Sequence, residues 1–203
     1  MGTTQTRTGV RFSTRDLVYV AVFGAAWGLV ETSLGSYLHA ARIPFRGAVL
    51  TAIGLALALC GRILVPRRGT VLMIGVVTAI LKLLSLGGVV LSPLLGILVE
   101  SALAELCLWP FARPSRPAFA LAGALATFWT VLHPFVAQGI LAGSGLVAAY
   151  RWLLEGTARA LPFLAQVGWL LVGAAVVVPL ALGAAAGLLA HDLGGRLQAR
   201  LAR

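Results

Sequence analysis

The chain has 203 residues, 60% of them hydrophobic and 11% charged, with a mean hydropathy of +0.97. A soluble domain carries about a quarter charged residues, so composition excludes one and points to a helical membrane protein. The formal net charge of +10 is no sign of nucleic-acid binding, because the arginines sit in short links between apolar runs, where membrane topology places them.

The first 15 residues form a polar, basic tail. The apolar run after them is too long for the core of a signal peptide and reads as a retained first span, Asp16–His39. Its early half carries small residues four apart, Ala21 with Ala25 and Gly24 with Gly28. On a helix each pair stacks on one face and permits close approach of another helix. Its later half carries Glu31, a carboxylate among hydrocarbon.

A short link leads to a second span, Ala48–Val65, and the basic turn Pro66-Arg67-Arg68-Gly69 to a third, Thr70–Leu86. Gly87 and Gly88 separate it from a fourth, Pro93–Phe111, which ends in the proline- and arginine-rich link Ala112–Pro117. The fifth is Ala118–Leu141. Residues 144–164 are less apolar and read either as an interfacial helix anchored by aromatics or as a lid. The sixth is Gln166–Ala190, with Pro179 as an expected kink, and residues 191–203 form a basic tail. The expected architecture is all-α: one integral membrane domain over residues 1–203 with six transmembrane helices. No three-plus-three repeat is evident, which disfavours an inverted-repeat carrier.

Arginine counting sets the orientation. With the N-terminus cytoplasmic, the inside segments hold Arg7, Arg11, Arg15, Arg62, Arg67, Arg68, Arg113, Arg116, Arg196, Arg200 and Arg203, against Arg42, Arg46, Arg151 and Arg159 outside. The excess places both termini in the cytoplasm and the chain in the cell membrane.

Ionisable side chains inside spans are costly and usually paired or functional. Glu31, Lys82, Glu100 and His133 come from four spans, and at about 1.5 Å per residue all fall in the outer half of the bilayer. They suggest one outward-facing pocket, with Trp129 one turn before His133, and Tyr150 and Trp152 from the outer segment, available to stack on or cover a ligand. Simpler roles stand beside this. Lys82 could form a structural ion pair with Glu31 or Glu100, His133 could bond a carbonyl freed by Pro134, and Glu31, near Thr32, Ser33 and Gly35, could cap a local break. Glu105, five residues from Glu100, falls on another face and is left out of the pocket.

The chain shows no H-E-x-x-H, G-x-S-x-G or P-loop pattern. His39, His133 and His191 lie at different depths, so no metal site is expected. Cys60 and Cys107 fall inside apolar runs and read as buried thiols. No enzyme activity and no cofactor are expected.

Six spans in about 200 residues, termini inside, an Ala21/Ala25 stripe on the first span and a polar outer pocket resemble the substrate-binding S component of energy-coupling factor (ECF) transporters. That resemblance implies capture of a vitamin-like micronutrient from outside and docking, through Ala21 and Ala25 with Gly24 and Gly28 beside them, onto a transmembrane T subunit driven by two ATPases. Glu100 and His133 resemble positions of the thiamin-binding members, but the rest of the pocket does not match and no ligand is assigned. The alternatives are a solitary secondary carrier with a Glu/Lys/His relay, a membrane enzyme acting on lipid, and an assembly subunit without a ligand.

Overall fold

The computed structural model describes residues 12–41, 45–84, 91–111, 113–136, 145–160 and 168–201, all of whose regular structure is helical. Among the described residues seven helices follow in order: α1 Thr14–Ala40, α2 Arg46–Leu64, α3 Thr70–Leu83, α4 Leu91–Leu108, α5 Arg116–Pro134, α6 Leu146–Ala160 and α7 Gly168–Leu201. Three of them, α1, α2 and α7, are both long and apolar enough to cross a membrane. The described part of α3 is apolar but shorter, 14 residues or about 21 Å. These features are those of a helical membrane protein.

The helix limits depart from the sequence expectation at instructive places. Helix α4 begins before Pro93 instead of at it, because a proline in the first turn removes no intrahelical bond. Helix α5 passes at Pro134 into a wider helical turn over residues 135–136, where the described segment stops. Helix α7 runs through Pro179 and past Ala190 to Leu201, so most of the expected tail is helical. The turn expected at Gly87–Gly88, the ends of the third and fifth spans and the start of the sixth lie outside the described residues.

Helix α2 is the hub. It packs on α1, α3, α4, α5 and α7, which follow one another around it as an arc. Its buried face explains this: Ala48, Thr51, Ala52, Gly54, Leu55, Ala58, Leu59 and Gly61 are mostly small and let several neighbours approach at once. Over Gly54 lies the indole of Trp27, so close that a β-carbon there would collide with the ring. Backbones approach closely between α5 and α7, where a β-carbon on Gly123 would meet the Gly183 carbonyl, one on Gly183 the Gly123 carbonyl, and one on Gly187 the Phe119 carbonyl. This Gly-xxx-Gly crossing escaped the sequence analysis, which looked for such a stripe on the first span.

One end of the bundle gathers the charged turns. Arg67 Nε donates to Asp16 Oδ2 at 2.7 Å, joining the α2–α3 turn to the start of α1. Arg116 Nη2 donates to Asp192 Oδ2 at 2.8 Å, joining the start of α5 to the late part of α7. The Arg68 guanidinium stands over the Trp109 ring at 5.6 Å. The start of α1, both links α2–α3 and α4–α5, and the end of α7 therefore share one side, referred to below as the basic end.

Candidate functional site

Helix α1 carries Glu31 about 25 Å from its first residue, and α3 carries Lys82 about 18 Å from its own, both away from the basic end. The two helices lie close because Gly24 and Gly28 face Val77 and Leu81, and because Thr78 Oγ1 donates to the Gly24 carbonyl at 3.0 Å. This brings Lys82 Nζ to 3.8 Å from Glu31 Oε2, while it also donates to the Glu31 carbonyl at 3.2 Å. Glu31 is 9% exposed.

Helix α4 adds Glu100, 6% exposed, whose Oε1 accepts from Thr51 Oγ1 of α2 at 2.9 Å. Glu100 is near enough to Glu31 for the two carboxylates to interact electrostatically. Among the described residues, three ionisable side chains from α1, α3 and α4 thus lie around the hub helix. Buried carboxylates of this kind call for cations or hydrogen-bond donors as partners. Trp27 is wholly buried one turn before Glu31, and its indole interacts with that carboxylate.

His133 belongs to a second group. Its Nε2 lies 3.1 Å from the Ser92 carbonyl and 3.3 Å from Ser92 Oγ. Ser92 stands eight residues before Glu100 on α4, about 12 Å along the axis. The carbonyl that His133 meets is therefore on a neighbouring helix and is not one released by Pro134. Trp129 packs edge-on against His133, centroids 6.1 Å apart, and its Nε1 is buried without a hydrogen bond. Tyr150, on α6, is exposed, and α6 packs on α7 and α5. The side chain of Trp152 lies outside the described part of the structure.

The four small residues of α1 divide by face. Gly24 and Gly28 are consumed by the contact with α3, whereas Ala21 and Ala25 are exposed. Around them Leu17, Val18, Val22 and Leu29 are exposed too, making a smooth apolar surface.

Two residues left out of the expected pocket shape the interior. Glu105, 3% exposed, accepts from the backbone N–H of Gly69 at 2.6 Å and of Val71 at 2.8 Å. A carboxylate from α4 thereby caps the N-terminus of α3, where the helix dipole favours negative charge. Gly69 is needed there for its backbone, since its φ is 88° while a β-carbon would meet open space. Arg62 is 2% exposed, with Nε and Nη1 lacking hydrogen-bond partners, and faces Glu105 electrostatically. Thr51 is the third such residue. The only trace it left in the sequence was a lone hydroxyl in an apolar run.

Among the described residues no group of three or more His, Cys, Asp or Glu side chains could hold a metal ion. No family model, no curated protein and no solved structure matches the chain.

Proposed function

We propose that the protein is the membrane-embedded substrate-binding subunit of an ECF-type importer, with six membrane spans and both termini in the cytoplasm. In this reading it captures a small micronutrient from outside and docks through α1 onto a transmembrane T subunit served by ATPases. The observation that carries the proposal is the division of labour on α1. Its inner side delivers Glu31 to a buried meeting point with Lys82 and Glu100, and its outer side leaves Ala21 and Ala25 uncovered. The gathering of Arg15, Arg67, Arg68, Arg113 and Arg116 at one end supports the orientation, since basic segments stay in the cytoplasm. Glu31, Lys82 and Glu100 would fix the polarity of the ligand, with His133, Trp129, Tyr150 and Trp152 nearer the outer surface.

Native mass spectrometry of the purified chain should show a retained small molecule that is lost in Glu31→Gln and Glu100→Gln. The pair Ala21→Leu with Ala25→Leu should then abolish uptake of that molecule in cells while leaving its binding to the purified chain unchanged. Uptake that survives both leucines would remove α1 from docking. The proximity of Glu31, Lys82 and Glu100 also suits a proton-carrying relay. ATP-independent, proton-driven uptake by the chain alone in proteoliposomes would replace the importer reading with a solitary carrier.

A further inference from the structure

The buried stripe of α7 does not stop where the bundle stops. Gly183, Gly187, Ala190 and Gly194 face the other helices at intervals of four, three and four. Gly194 is the last of them, packed against Ile63 near the end of α2. The same intervals continue to Leu197 and Leu201, so these leucines lie on the same face, yet both are exposed. Asp192, bonded to Arg116, marks the level at which α5 begins. From Gly194, still seated on α2, α7 runs seven more residues to Leu201, about 10 Å beyond that contact. Small residues occupy the stripe where α2 and α5 press on it. Leucines occupy it past that contact, where they are exposed.

We propose that this last part of α7 is a docking surface for an acidic amphipathic helix of another protein. Charge selects that occupant. Arg196 and Arg200 are exposed and each precedes a stripe leucine by one residue, so they line one edge of the apolar strip. Residues 193–201 contain no acid. A second copy would bring arginine rows together, whereas glutamates flanking a leucine seam would pair with them. Lying flat on a lipid surface is disfavoured because α7 is one continuous helix still seated on Ile63 at Gly194, and its extension leaves the bundle along that axis.

The test uses the full chain in nanodiscs of neutral lipid and two synthetic peptides of about 21 residues with leucine at heptad positions a and d. One carries glutamate at the flanking positions and the other lysine. Fluorescence anisotropy should show the glutamate peptide binding at least about tenfold more tightly than the lysine peptide. Leu197→Ala with Leu201→Ala should weaken it at least about tenfold, and Arg196→Glu with Arg200→Glu should reverse the preference, with thermal melting unchanged in both variants. Equal binding of the two peptides, or insensitivity to either pair, overturns the proposal. A dimer by light scattering that Leu197→Asp converts to monomer assigns the strip to a second copy instead. Loss of glutamate-peptide binding when phosphatidylglycerol replaces neutral lipid assigns it to the membrane surface.

Discussion

Where α5 crosses α7, backbone stands against backbone. Gly123, Gly183 and Gly187 leave no room for side chains, and Thr127 Oγ1 is buried there without a hydrogen bond. Where α1, α3 and α4 meet on the hub, the contacts are polar: Lys82 with Glu31, Thr51 with Glu100, Glu105 with the first turn of α3. The first region is held by shape and dispersion, which is how helices associate when lipid is as apolar as they are. The second is held by groups that are expensive to leave unpaired. A region of the first kind can be rigid with little chemistry. A region of the second kind specifies partners, and can exchange one partner for another when a ligand arrives. The division places the scaffold on the α5–α7 side and the candidate binding function on the α1–α4 side.

The comparison breaks most visibly at Glu105. Glu105→Ala leaves the backbone N–H groups of Gly69 and Val71 without their acceptor and should cost about 1–3 kcal/mol for each, read as a large drop in melting temperature of the purified protein in mild detergent. A loss below about 1 kcal/mol would mean that the polar half is not held by this carboxylate. Gly183→Val tests the other half by size alone. It drives a branched side chain into the Gly123 carbonyl and should cost about 1–3 kcal/mol or more. Full tolerance would show that the crossing is looser than drawn.

Thr51→Val keeps the shape at the hub but removes the donor to Glu100, leaving a buried acceptor unsatisfied. The expected loss is about 1–3 kcal/mol, and in the proposed function it should also change ligand affinity. Thr127→Val makes the same chemical change in the dry half. There the hydroxyl has no partner to lose, so stability should stay within about 0.5 kcal/mol of the starting protein or rise. Equal effects of the two threonine substitutions, measured by the same melting experiment, would erase the contrast between the regions.

Much of the helical layout was written locally. Apolar runs, the Pro-Arg-Arg-Gly turn and the Ala112–Pro117 link determine where helices run and break, because backbone groups in hydrocarbon must be satisfied within their own helix. The identity of the costly side chains, Glu31, Lys82, Glu100 and His133, was equally plain, since charge in an apolar run needs no tertiary information to stand out. The grouping of those side chains was not. Lys82 joins Glu31 because Gly24 and Gly28 admit α3, and His133 goes to Ser92 because α4 sets Ser92 two turns from Glu100. Glu105 showed its charge but not its task, which depends on α3 beginning beside it. Ala21 and Gly24 look alike in a small-residue stripe, yet one is exposed and the other is pressed against Val77. Composition and periodicity report what each helix can bury. Which neighbour it buries against depends on pairings between residues far apart in the chain, and only the assembled bundle decides those.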